Sequence, residues 1–435
     1  MTKEKIIEDL KKAKDYILFI LVFIVFSLPF LKEFYPTSNI ALEFDYPIIE
    51  IIGVIGVYFL VISIAINFYK SDNRKEFFKR NIPIFILSLY MIWTLISCSF
   101  AENKDFAFSG TPYRRDGYFT YIAYSGIFGL TFCINSKKMK KILLYSFSII
   151  AILTIVLVQI AKYWNITNLV CTKDITIISF GQLNHYGYYL LLATSISSFL
   201  FISEKNKLCK IVNVLMYIFL LYFLIFNNTF GCYLALISTF IIYFITALFK
   251  KGKKIYIILA IILLAIISPL VNNETKQENI ASQNIKTLVT DVHNIRTTDS
   301  SDVKWEHAGS GRMKLWKYGI QFFLEKPILG YGAENLGEKY KNAKINQDRP
   351  HNLLIQLATT SGLPGLILYC LAIGIILWRS LKNLDMQNPI YVVCMFSVVA
   401  YLISSMFGNS MYYTSPYYFT LLGFLFNEII NIKGK

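Results

Sequence analysis

Charge is scarce in this chain. Only 16% of its 435 residues are charged, against about 25% in a soluble globular domain. That scarcity excludes a soluble enzyme of ordinary composition. Cysteine is present without pattern. Cys98, Cys133, Cys171, Cys209, Cys232, Cys370 and Cys394 include no CxxC pair and fall mostly inside apolar runs. They read as small packing residues, not as a disulfide framework or a metal site. No pair of carboxylates and no His/Asp cluster has metal-ligand spacing, so neither a metal nor a cofactor is expected. Internal repeats and low-complexity tracts are also missing. The first apolar run lacks a small-residue cleavage site, and its long apolar core reads as a retained span.

What is abundant is apolar surface: 55% of residues are hydrophobic and 16% aromatic. Apolar runs of about 17 to 23 residues recur along the chain, each matching the hydrocarbon thickness of a bilayer. This is the pattern of an all-α integral membrane protein with about twelve transmembrane helices. A net charge of +16 invites a nucleic-acid reading. The cations, however, sit in short clusters between apolar runs, where they set topology, and no nucleic-acid partner is expected.

Residues 1–14 read as a polar tail. The first spans are expected at Tyr16 to Leu31, Pro47 to Tyr69, Ile82 to Phe100, Tyr118 to Ile134 and Ile142 to Ala161. The sixth begins near SFGQLNHYGYY and ends near Ile202. The stretch from Ile211 to Phe249 is too long for one span, and the turn-forming Asn227-Asn228-Thr229 divides it in two. A ninth span ends near Val271, and three more run from Leu363 to Leu377, Ile390 to Phe407 and Pro416 to Ile430. Three regions follow: a bundle over 1–271, one long loop over 272–350, and C-terminal spans over 351–435.

Charge alternation orients the twelve spans. Both termini and every second loop share one side and hold twenty-five Lys and Arg, whereas the short loops opposite hold six. By the positive-inside rule both termini are cytoplasmic, and the long loop, Arg114, Arg115 and the entry to span six face outward. Almost no ionisable residue lies within a span. Glu50 stands near an outer end and Glu428 near an inner one. Ion-coupled transport needs such groups at mid-membrane, so the pattern favours chemistry at the outer surface.

The polar chemistry concentrates between Gly309 and Gly365. Ser310 is expected to cap a helix beginning at Gly311. Met313, Trp316, Ile320 and Leu324 recur at helical spacing, giving an amphipathic helix able to lie on the membrane. Pro327 ends it, and Gly330 and Gly332 make a turn. Arg312, in the first turn, is either an interfacial arginine on lipid headgroups or a phosphate ligand. Guanidinium forks and helix N-terminal NH groups both suit that anion. His351 follows Pro350 at the start of an apolar helix. The positive helix end disfavours imidazolium there, leaving a neutral imidazole able to act as general base. The alternative is an ordinary polar anchor. Asn352 could orient His351 or contact sugar, and Arg349 is either a surface charge or a substrate ligand. Arg114 and Arg115 form either an ion pair with Asp116 or half of a diphosphate clamp. Asn184 and His185, at the mouth of span six, are further binding candidates. His293 and His307, in a polar part of the loop expected to be mobile, carry no role.

The string GRMKLWKYGIQFFLEKPILGYGAENL, followed by RPHNLLIQLATTSGLPGLILY, resembles the signature of the O-antigen ligase and O-antigen polymerase superfamily. The matching positions are Arg312, Trp316, Pro327, Gly330, Gly332, His351, Asn352, Leu354, Gly362 and Gly365. YRRDGYFTY and FGQLNHYGYYLL resemble upstream segments of the same family. The resemblance implies a GT-C-type membrane glycosyltransferase of the cell envelope. Such an enzyme moves glycan from an undecaprenyl diphosphate carrier to an acceptor hydroxyl, by inversion and without a metal. It implies that Arg312 binds the diphosphate, that His351 activates the acceptor, and that Arg114 or Arg115 helps hold the carrier. The site would face outward from the bacterial cytoplasmic membrane. Polymerisation of capsular or cell-wall polysaccharide is the leading reading, because richness in Ile, Lys, Asn and Tyr is that of a low-GC genome and many such bacteria lack lipid A. O-antigen ligase, protein O-oligosaccharyltransferase and, in another class, polysaccharide or lipid transporter are the alternatives.

Overall fold

The computed structural model describes residues 3–34, 38–166, 174–250, 252–275, 280–300, 302–408 and 411–432, and among these it contains helices and no strand. In chain order they are α1 (Lys3–Glu33), α2 (Ser38–Tyr69), α3 (Arg74–Ser99), α4 (Lys104–Ser109), α5 (Tyr118–Phe132) and α6 (Lys137–Tyr163). After a 3-10 turn at Ile178–Phe180 come α7 (Leu183–Ser203), α8 (Lys207–Asn227), α9 (Phe230–Phe249), α10 (Lys254–Thr275), α11 (Ile280–Thr297) and α12 (Val303–His307). The last are α13 (Arg312–Glu325), α14 (Gly337–Asn342), α15 (Leu353–Lys382), α16 (Pro389–Ser405) and α17 (Ser415–Ile432). Eight described helices are long and apolar enough to cross a membrane: α1, α2, α3, α6, α7, α8, α9 and α15. The remaining expected spans coincide with α5, α10, α16 and α17, which are not among these eight. Cys171 lies outside the described residues.

α7 is the centre of the bundle. It is apolar on every side and buried from His185 to Ser203, as a helix without a polar face must be. α2 and α5 meet along a seam of small residues. A Cβ added at Gly126 would stand 1.7 Å from Gly53 O, and one at Gly56 would stand 2.1 Å from Gly126 O. Close backbone approach of this kind replaces the hydrophobic drive that lipid removes. The split at Asn227-Asn228-Thr229 occurs as expected: α8 ends at Asn227, and Asn228 takes the left-handed conformation (φ 56°).

The basic clusters gather at one end of the bundle. There Lys14 donates to Cys133 O (2.8 Å), Arg80 to Ile430 O (2.9 Å) and Arg379 to Arg80 O (2.8 Å), and Lys140 pairs with Glu428 (2.7 Å). The opposite end carries the 100–117 connection and helices α11 to α14. Two expectations need correction here. The N-terminal tail is helical from Lys3, because a helix that must cross a bilayer extends into water at little cost. The polar segment holding His293 and His307 is not a mobile loop but α11 and α12, tied down where Asp291 accepts from Gly309 N (3.0 Å). The expected helix after His351 and span ten form one element, α15, which is broken at Gly362 (φ 68°, ψ −177°), so that its second segment begins at Leu363 as expected.

That break is closed by the turn after α13. Leu363 N donates to Pro327 O (2.8 Å) instead of to its own helix, and the freed Thr359 O accepts from Tyr331 N (2.9 Å). Pro364 has no N–H, so Thr360 O accepts instead from Gly332 N (2.8 Å) and Ser97 Oγ (2.8 Å). Ser361 O accepts from Trp93 Nε1 (2.8 Å). Every carbonyl released by the kink thus finds a donor, as backbone inside a membrane protein requires. A Cβ at Gly362 would sit 1.9 Å from Ile328 O, and its backbone conformation is open to glycine almost alone.

Gly362→Ala is therefore expected to lower stability by about 2 kcal/mol or more, read as a fall in the thermal unfolding midpoint of detergent-solubilised protein. Gly374→Ala, in the same helix with open space around it, should be neutral. Equal midpoints for the two variants would refute the clasp.

Candidate active site

The approach to α13 is a left-handed turn: Gly309, Ser310 and Gly311 all have positive φ (63°, 57° and 80°). The helix starts at Arg312 with Gly311 at its N-cap, so Ser310 is not the cap that the sequence suggested. Its positive φ belongs to the turn, one residue too early for its hydroxyl to reach the first helical NH groups. The half-buried Arg312 side chain donates from Nε to Phe407 O (2.9 Å) and from Nη1 to Gly309 O (3.0 Å). The buried line of α13 is Leu315, Gly319 and Phe322. Ile320 and Leu324 face outward (50% and 67% exposed), and Ile328 continues that apolar face. Trp316 turns inward against Phe407, with ring centroids 6.4 Å apart.

His351 stands two residues before α15. Its backbone is left-handed (φ 53°), and Asn352 is the N-cap, accepting from Ile355 N (3.1 Å). The Asn352 amide also donates to Met406 O (3.0 Å). Asn352 and Arg312 thus hold consecutive carbonyls at the end of α16, which brings the two halves of the motif together. His351 Nε2 lies 3.2 Å from Gln347 Oε1. That carbonyl accepts from Nε2–H, which leaves the lone pair on Nδ1. Burial pushes the imidazole down, the Arg312 charge adds most among the cations, and the result is about 4. A neutral imidazole was expected from the helix end. The dominant causes in the structure are burial and Arg312.

The other arginines separate into two kinds. Arg114 holds Asp348 in a fork, Nε to Oδ2 at 2.7 Å and Nη2 to Oδ1 at 3.0 Å, and its Nη1 reaches Met411 Sδ (3.2 Å). Arg349 is buried (3% exposed), not a surface charge. It bonds Glu334 tightly, faces Asp116 at 3.4 Å and lies 3.6 Å from Asp348. Asp116 therefore pairs with Arg349 and not with its neighbours Arg114 and Arg115. Burial pushes the Asp116 carboxyl up to about 7, Arg349 opposing. Burial also pushes Asp348 up, but Arg349 and Arg114 outweigh it and hold that carboxyl below its ordinary value. Arg115 differs. It is half-buried, its guanidinium sits 5.5 Å over the Tyr46 ring, and among the described residues it makes no ion pair.

His185 and Asn184 lie in the first turn of α7, at the same end of the bundle. His185 is 3% exposed and stacked on Tyr413 (5.1 Å), and its Nδ1 has no hydrogen-bond partner. Tyr413 also faces the Lys32 ammonium (4.9 Å), which pairs with Asp45 at 3.0 Å. Asn184 is half-buried. The connection between α16 and α17 thus touches Arg312, Asn352, Arg114 and His185.

A cleft of about 530 Å³ opens beside Arg114, lined also by Lys341, Lys344, Asn346, Gln347 and Asp348. Nothing in the linear chain singles out Gln347, Glu334, Asp348 or these lysines. Asp348, for one, meets a partner 234 residues away, and no local pattern encodes such a pairing. No group of three or more His, Cys, Asp or Glu able to hold a metal occurs among the described residues.

Two outcomes are expected. Arg349→Met leaves Glu334 and Asp116 buried without their cation and should cost about 3–5 kcal/mol, seen as a large fall in unfolding midpoint; an unchanged midpoint would contradict the network. The chain has only 4 histidines, so His351 can be followed by NMR. Its titration midpoint should lie near 4 and rise in Arg312→Gln. A midpoint near the ordinary value of about 6.5 in the parent protein would overturn this.

Residues 215–370 match the family described as O-antigen ligase. A Rickettsia conorii protein named "Putative polysaccharide ligase" is 21% identical over 318 residues, covering 70% of this chain and 69% of its own length. A Rickettsia prowazekii protein of the same description is 21% identical over 371 residues, covering 76% and 80%. The family match spans α13, the glycine turn, His351 and the broken helix, the elements that assemble around Arg312. Over residues 215–370, this multi-pass membrane chain is thus similar to the O-antigen ligase family.

Proposed function

We propose that this chain transfers glycan from an undecaprenyl diphosphate carrier to an acceptor hydroxyl. The reaction takes place at the outer face of the bacterial cytoplasmic membrane, with both termini cytoplasmic. The observation that carries the proposal is His351: neutral, outside the helix, oriented by Gln347, and held against Arg312 through adjacent carbonyls of one turn. In the step, the acceptor oxygen attacks the anomeric carbon from the face opposite the diphosphate. Its proton passes to His351 Nδ1, and the carbon–oxygen bond to phosphate breaks with its electron pair on the diphosphate. This single displacement inverts the sugar.

Arg312 and Arg115 are the cations assigned to the leaving group, since neither is matched by a carboxylate among the described residues. Preorganised cations at the developing charge supply what a metal would otherwise provide. Arg114 and Arg349 act by positioning: their ion pairs fix the 111–116 and 334–349 segments. The diphosphate also offsets the positive charge of Arg312, which moves His351 up from about 4 toward the working range of a general base. Asn352 holds the imidazole in register through its cap, and Asn184 and His185 border the carrier's path. Polymerisation of polysaccharide repeat units is the reading we adopt. The names of the relatives favour a second, ligase, in which the same step delivers glycan to a different acceptor.

The test uses purified protein, a synthetic undecaprenyl diphosphate repeat unit and EDTA. A product ladder is expected, and single transfer only on an added acceptor would make it a ligase. His351→Ala and Arg312→Ala should each lower transfer by at least about 10²-fold with membrane insertion intact. Wild-type transfer in either variant would sink the assignment.

A further inference from the structure

The cleft beside Arg114 is not consumed by the transfer chemistry. Its volume of about 530 Å³ falls within the range of small-ligand pockets, about 300–1,000 Å³. One wall is the tight turn after α14, where Lys344 N donates to Lys341 O (2.9 Å) and Ile345 N to Tyr340 O (2.9 Å). Tyr340 is fully buried and its hydroxyl donates to Leu315 O (2.9 Å). The turn therefore holds Lys341 and Lys344 in the cleft on a rigid support. Neither ammonium has an ion pair among the described residues. The one carboxylate in the wall, Asp348, is already forked onto Arg114 and lies 3.6 Å from Arg349. The cleft thus carries positive charge that nothing in the fold neutralises.

Its remaining chemistry is that of sugar recognition. Asn346 and Gln347 present amides, which pair with hydroxyls in either sense. Gln347 in the wall lies 3.2 Å from His351 Nε2, so the cleft adjoins the residue that carries the proposed base. The outward apolar residues Ile320 and Leu324 lie on α13 and not in this wall, and Ile345 in the wall is buried. That separation favours a water-soluble occupant over a lipid.

We propose that this cleft is the acceptor-side subsite and that it selects a glycan with an acidic sugar beside the accepting hydroxyl, the ammonium groups of Lys341 and Lys344 pairing with its carboxylate. This deepens the transfer reading and rests on it for the word acceptor.

The test is equilibrium binding to the full-length protein in detergent. The probes are a glucuronic-acid-containing tetrasaccharide and its carboxyl-reduced neutral counterpart. The acidic probe should bind about three- to tenfold tighter, as two partly exposed charge pairs imply, with the preference shrinking at high salt. The ratio should fall to about one in Lys341→Gln/Lys344→Gln and survive in Lys341→Arg/Lys344→Arg. Equal binding of the two probes to the parent protein, or a preference that persists in the Gln variant, overturns the inference. So does displacement of the acidic probe by submicellar short-chain phosphatidylglycerol with the same lysine dependence, which would make the cleft a lipid-headgroup site. The preference should also hold in His351→Ala, because binding needs no transfer. A preserved preference without transfer in the parent protein would sink the enzyme reading and leave the subsite standing.

Discussion

A helix that breaks inside a membrane protein must find partners for every peptide group it releases, and in this chain that requirement joins the two halves of the site. Gly362 opens α15, Pro364 removes a further donor, and the Gly330–Gly332 turn supplies the missing bonds to Thr359 and Thr360. The exchange is mutual, since Leu363 N returns a bond to Pro327 O. Because that turn ends the segment begun by α13, the clasp fixes Arg312 relative to the start of α15, where His351 stands. The glycines and prolines of the motif are therefore structural. They let two backbones touch where any side chain would collide.

Electrostatics completes what the clasp begins. Arg349 and Arg114 are buried and bound to Glu334, Asp116 and Asp348, drawn from segments far apart in sequence. Buried ion pairs give little net stability once desolvation is counted, but breaking one is costly. A network of this kind acts as a lock on geometry. It also separates the cations: Arg114 and Arg349 are saturated by carboxylates, while Arg312 and Arg115 make no ion pair among the described residues. The same positive surroundings, with burial, hold His351 neutral.

The distribution of lysine and arginine separates the two ends of the molecule. The end opposite the site carries cations that clamp helix termini, Arg379 onto Arg80 and Lys140 onto Glu428 among them. The site end carries the folded cap of α11 to α14, whose buried cluster around Tyr340 and Phe322 gives it a small core of its own. Lys341 and Lys344 on that cap line the cleft and have no carboxylate partner among the described residues.

Much of this was legible in the linear chain. Apolar runs, the turn at Asn227–Thr229 and the motif from Arg312 to Gly365 required only local periodicity and local turn chemistry, and these determine an all-helical membrane protein with its polar residues in one segment. What the linear chain could not reveal is which charges meet. Asp116 lies next to Arg115 in sequence yet pairs with Arg349, and Arg114 pairs with Asp348 across 234 residues. His351 was placed at a helix start, but the low basicity comes mainly from burial and from Arg312. Side-chain pairing over such separations depends on how helices dock. Local sequence sets the helices and the turns between them. Only the tertiary structure, through desolvation and the closure of the broken helix, decides which cations are locked in ion pairs and which are not.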